Sequence, residues 1–195
     1  ADDGPAQDDD YEGARHTGQS ENLQENFISK KNPDLQFDKI YLVEYPITYI
    51  GSGRRKPSVT EDMITRINTS GALLLNWIGH GNPRVWAHEQ ILERDITIPR
   101  MRNLDKLFFL TAATCDFGRF DDPEVRSGAE EMFVSKNGGA IGVFSATRVV
   151  YSDENARLSN AFYEQLLSRD PATMKFPSLG KTINAIKQRF VSTND

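Results

Sequence analysis

The 195-residue chain carries a net charge of −5 and 38% hydrophobic residues, apolar material for one sizeable core. Without a basic excess, nucleic acid is excluded as a partner class, and no apolar run approaches the ~18 residues that a bilayer span needs. The single cysteine, Cys115, excludes an internal disulfide.

The chain starts at Ala1 rather than Met, shows no signal peptide, and reads as one domain (1–195) excised from a longer protein and lacking upstream strands. Residues 4 to 18 are polar and glycine-containing and read as a long loop, with Asp8, Asp9 and Asp10 a solvated acidic run that lacks the EF-hand spacing. "SENLQENFISKK" follows as a helix with Leu23, Phe27 and Ile28 on one face. "FDKIYLVEY" (37–45) reads as a strand, and "GSGRRKP" (51–57) as a solvated basic loop, since it fits neither the P-loop nor the dinucleotide pattern. "SVTEDMITRIN" is helical, with Thr60 as N-cap and Met63, Ile64 and Ile67 as its apolar stripe.

Three nearly continuous apolar runs come next: "GALLLNWI" (71–78), "KLFFLTAATC" (106–115) and "GGAIGVFSAT" (138–147). Such runs suit strands covered on both faces in a parallel sheet. Between the second and third, Ser127 and Glu130 form a capping box, with Asn137-Gly138 as the left-handed stop. Helices at roughly 153–168 and 179–191 close the chain. Strands alternating with helices predict an α/β fold: a doubly wound, mostly parallel sheet with helices on both faces.

In such sheets ligands gather at the carboxyl ends of the strands. His80 follows the first buried strand, in "NWIGHGNPRVW"; Cys115 ends the second; Thr147 and Arg148 end the third. Asp2 and Asp3 are candidates for the end of a strand that starts upstream. A lone cysteine reads first as a small buried hydrophobe. A cysteine and a histidine on one rim can instead run acyl transfer, with thiolate as nucleophile and imidazole as proton carrier. Gly79 and Gly81 would give that histidine flexible, side-chain-free surroundings, and the N–H groups of Gly81 and Cys115 could hold an oxyanion. Trp77 reads as core, whereas Trp86 reads as lining a cleft or bracing the loop. His16, His80 and His88 lack zinc-site spacing, so no metal and no cofactor are expected. The Asp-Phe-Gly string in "CDFGRFDDP" stands without the other kinase signatures.

"NWIGHGNPRVWAHEQIL", "FFLTAATCDFGRFDDP" and "NGGAIGVFSATRVVYS" together resemble the gingipain-like cysteine peptidases, family C25 of the caspase-like clan, over essentially the whole chain. "CDFGRFDDP" resembles the sortase branch of that family. The resemblance implies a caspase-like fold, His80 as general base and acid, Cys115 as nucleophile, and Gly81 and Cys115 N–H groups at the oxyanion. It implies Asp3, with Asp2 second, as the acid that orients His80. Where arginine-specific members carry a carboxylate for the substrate side chain, this chain has His16 and Thr17. The resemblance therefore implies a cleft bordered by Trp86 and the Ser145–Val149 segment with Thr147 and Arg148, faced by His16. The implied substrate is the C-terminal sorting domain of type IX secreted cargo, cleaved at the bacterial cell surface among other secretion components. An anionic lipopolysaccharide is the implied acceptor. A catalytically silent module that docks cargo on the same fold is the alternative.

Overall fold

In the computed structural model, residues 1–2, 11–51 and 53–193 are described. Three parallel strands form the centre: β3 (Leu74–Ile78), β6 (Phe108–Ala113) and β7 (Ala140–Ser145), in the order β3-β6-β7. All three expected strands form, each shorter than its apolar run. Leu74 pairs with Phe109 and Ile78 with Ala113; across the other seam Leu110 pairs with Val143 and Ala112 with Ser145.

The sheet is covered on both faces. On one side, α2 (Pro57–Thr69) and α3 (Gly128–Val134) press Val59, Met63, Ile67, Ala129 and Met132 onto Trp77, Phe108, Leu110 and Ala112. On the other, α4 (Ser152–Leu166) and α5 (Leu179–Thr193) close over Phe109 and Ile78 with Phe162, Tyr163, Leu166 and Ile186. Register is fixed by a polar pin inside this second layer. Thr111 donates to Asn76 Oδ1 on the paired residue (2.7 Å), and so accepts from the Tyr163 hydroxyl (2.5 Å). Burial and this bond arrangement belong together: burial raises the Tyr163 phenol far above its ordinary value.

Two helix signals hold. Ser127 and Glu130 make the reciprocal capping box, and Pro57 stands in the first turn of α2. Thr60 lies inside α2 and donates to the Ile91 carbonyl (2.8 Å), so it ties the helix to a loop instead of capping it. The stop after α3 comes early, at Ser135, and the positive φ belongs to Gly139 (121°) rather than Gly138; a Cβ on Gly139 would lie 2.1 Å from the Met132 carbonyl oxygen.

Three expectations need correction. The loop expected over 4–18 is helical from Tyr11: α1 (Tyr11–Asn22) runs on into a π-helical turn (Leu23–Ser29), because His16, Leu23 and Ile28 bury one side of it. Packing outweighs the cost of Gly18 in its interior. The strand expected over 37–45 is reduced to a 3-10 turn at Leu42–Glu44, with Ala1 donating to Ile40 O (2.8 Å) and Leu42 donating to Ala1 O (3.1 Å). The "GSGRRKP" segment is not a solvated loop. It belongs to a hairpin of β1 (Thr48–Ile50) and β2 (Gly53–Arg55), from which Arg54 reaches the buried Glu89, while Lys56 is buried and donates to the Leu42 carbonyl. The acidic run at Asp8–Asp10 lies outside the described residues.

Candidate active site

The rim is built where β3 and β6 end side by side. Ile78 pairs with Ala113, and Gly79 N–H donates to the Ala113 carbonyl (3.3 Å), so the parallel ladder runs one step past the strands. His80 and Cys115 each stand two residues beyond that last pair. One level of the sheet therefore carries both.

The histidine backbone is held at each polar atom. His80 N–H donates to Asp2 Oδ2 (2.8 Å), and its carbonyl accepts from Ala87 N–H (3.0 Å) and Trp77 Nε1 (3.2 Å). Asp2 is fully buried, its own N–H donating to the Ile78 carbonyl (3.0 Å). Beyond His80 the chain folds back: Gly81 bridges Trp86, and β4 (Val85–Trp86) pairs with β5 (Leu92–Glu93). The glycines are there for close approach rather than for flexibility, which corrects the sequence reading. A Cβ on Gly79 would lie 2.3 Å from the Asp2 Cβ, and one on Gly81 would lie 2.5 Å from Thr114 Oγ1. Through that second contact the buried Thr114 locks the histidine loop to the cysteine strand.

Trp86 is 1% exposed, stacked on Trp77 (centroids 5.1 Å, 1° between planes) and tilted against Phe117 (5.2 Å). The expected place for Trp86 on a cleft wall is thus corrected; it braces the loop from beneath, since the flat indole finds more contact between two rings than at the surface.

Cys115 is half-buried, and the segment after β7 wraps it. Val150 N–H donates to Sγ and the thiol donates to Val150 O, both at 3.5 Å. Asp116, at φ 52°, turns the chain and donates to the Arg148 carbonyl (3.2 Å), while Gly118 N–H donates to Ala146 O (2.9 Å). Arg148 spans this loop with a two-pronged pair to Asp121, Nη1 to Oδ1 at 2.8 Å. That guanidinium holds the Asp121 carboxyl below the usual carboxylate range. Among the described residues, no hydrogen bond uses the Gly81 or the Cys115 N–H. Thr147 lies beside a groove of about 340 Å³ that Gly118, Phe120, Phe133 and Val143 also line.

All the histidines of the chain meet here. His16 on α1 packs edge-on to His80, ring centroids 5.4 Å apart with planes at 89°, and His88 approaches His80 with centroids 5.2 Å apart and planes at 63°. His16 therefore borders the rim as expected, although it comes in a helix. Asp2, His80, Gly81, Cys115, Thr147 and Arg148 are gathered on the same rim; Asp3 lies outside the described residues. Sequence reasoning missed Val150, Thr114 and His88. Only His88 left a signal, a third histidine eight residues after His80. Among the described residues, no group of three His, Cys, Asp or Glu side chains is arranged to hold a metal ion.

A sequence profile described as peptidase family C25 matches residues 1–195. The chain belongs to peptidase family C25. The fold agrees: the crystal structure of the Arg-specific cysteine proteinase gingipain R (RgpB) aligns with a TM-score of 0.57 at 20% identity, covering 68% of this chain and 31% of that one. A complex of Porphyromonas gingivalis RgpB pro- and mature domains aligns at 0.52 and 21% identity, covering 57% and 26%. This chain thus spans about a third or less of the length of those gingipain chains. No curated protein matches it in sequence.

Proposed function

We propose that this C25 chain is the catalytic part of a cysteine peptidase, with Cys115 as nucleophile and His80 as general base and acid. The observation that carries the reading is the shared level of the two residues past the Ile78–Ala113 pair of adjacent parallel strands. His80 takes the thiol proton, and the sulfur attacks the scissile carbonyl carbon. The negative oxygen of the tetrahedral intermediate is met by the Gly81 and Cys115 N–H groups. When the intermediate collapses, the C–N bond breaks, His80 returns the proton to the leaving amine, and a thioester to Cys115 remains. Asp2 serves this cycle through the main chain, holding the His80 amide. The orienting role proposed for Asp3 acts alongside it.

In the finer reading the protein is a PorU-like sortase. It takes the C-terminal sorting domain of type IX cargo at the cell surface, together with other secretion components, and passes the thioester to an amine on anionic lipopolysaccharide. Its support is the likeness of "CDFGRFDDP" and the absence of a carboxylate at His16 and Thr17. A cleavage assay with added small amine tests both levels. Amine-capped product at the expense of free acid, abolished by Cys115→Ala, is the expected result. Cleavage that never captures amine leaves a plain peptidase. No cleavage, with an inert thiol, leaves a binding module.

A further inference from the structure

In the cycle above the His80 ring must become an imidazolium and return to neutrality without leaving its place. Backbone bonds fix where the residue sits, but they do not fix the plane of its ring. Two rings do touch it. His16 is 4% exposed on α1, a helix anchored by Leu23 and Ile28 in the layer under α4 and α5. His88 is exposed, on the far side of the hairpin that starts at His80. The His80 ring thus has a dry imidazole edge-on at 5.4 Å and a wet one at 5.2 Å.

We propose that His16 is a positioning residue for His80, fixing its ring plane from the buried side and keeping the stack from carrying a second proton during turnover. The inference rests on the peptidase reading. Burial disfavours the charged form of an imidazole, so His16 stays neutral and presents a ring to the His80 cation. A second imidazolium at this distance would repel the first, and His88, open to solvent, supplies that repulsion when it is protonated. The groups that face His80 are Asp2 from the N-terminal segment, His16 from α1, His88 from its own loop and Cys115 from the neighbouring strand. Asp2 alone favours a protonated His80; the two other imidazoles oppose it.

His16→Phe, His16→Ala and His88→Ala test this in the whole protein, each read by peptide cleavage between about pH 5 and 8 and by NMR titration of the ring protons. His16→Ala should lower kcat by about tenfold, a fraction of what a positioned base supplies, with KM nearly unchanged. His16→Phe keeps the edge-on contact without a titratable nitrogen, so it should recover most of kcat while the His80 midpoint moves upward. His88→Ala should move the midpoint the same way with kcat retained. A rise in KM at constant kcat would make His16 a substrate contact and overturn the proposal, as would an unmoved His80 midpoint in His16→Phe. Should His16→Ala fail to fold, the Phe variant decides. A wild-type protein that cleaves no peptide contradicts the peptidase reading, and the NMR titration still decides the stack.

Discussion

The loop that carries His80 and the loop that carries Cys115 leave adjacent strands at one level, yet different forces hold them. The histidine loop is packed: its glycines touch Asp2 and Thr114, and Trp86 fills the space beneath it between Trp77 and Phe117. The cysteine loop is open: Phe120 is 69% exposed, and the link to the segment after β7 is the exposed Arg148–Asp121 pair. Both carry left-handed turns at residues other than glycine, Ala87 and Gln90 on one side and Asp116 on the other. Strain of that kind persists only where surrounding structure enforces it. The contrast suits the chemistry. A base must keep its geometry, whereas a nucleophile must admit a peptide.

The largest effect that sharpens this contrast is on Trp86. Trp86→Ala should cost about 3–5 kcal/mol of stability, the range for deleting a buried aromatic, measured by denaturant unfolding. If it behaves like a surface substitution, the histidine loop is not held by packing. Gly81→Ala should follow, at about 1–3 kcal/mol for overpacking against Thr114. Thr114→Ser should relieve part of that loss in the double variant, because it removes the methyl and leaves a smaller side chain. Full additivity would show that the two loops are not locked through this contact.

Much of this frame is legible in the sequence, and the reason is periodicity. β3, β6 and β7 announce themselves as unbroken apolar runs, and Ser127 with Glu130 marks a helix start wherever it occurs. From the strand ends alone, His80, Cys115, Thr147 and Arg148 fall on one rim. What stays hidden depends on distant partners. α1 contains Gly18 and few apolar residues, and it forms because the layer under α4 needs Leu23 and Ile28. Arg54 looks like a solvated charge until Glu89, 35 positions later, is seen buried beside it. Trp86 sits among polar loop residues, and nothing local says that Trp77 lies flat beneath it. Val150 touches the nucleophile through its backbone, which no side-chain pattern encodes.

On the cysteine side the expected effects are smaller and depend on charge. Arg148→Ala should leave thermal stability nearly unchanged, as exposed pairs do, while changing the salt dependence of cleavage because the loop loses its tie. A large loss of stability would contradict the comparison. The smallest effect concerns pH. Asp121 has its carboxyl lowered by Arg148, so the stabilisation from their pair is complete above the unfolded carboxyl value of about 3.9. It disappears only as pH falls through the lowered folded value. The pair is therefore intact wherever a histidine titrates, and Asp121→Asn should not move the acid limb of activity. A shifted limb would assign to this loop a titration that belongs to the histidines.

The central claim is that Cys115 and His80 act as one unit across the β3–β6 seam. The most direct measurement is the rate at which iodoacetamide alkylates Cys115 at mildly acidic pH, in the wild type and in His80→Ala. Rapid alkylation that collapses when His80 is removed is the expected result, since the imidazole supplies the reactive thiolate. Equal rates in the two proteins would mean that the thiol does not depend on the histidine, and the dyad would be lost.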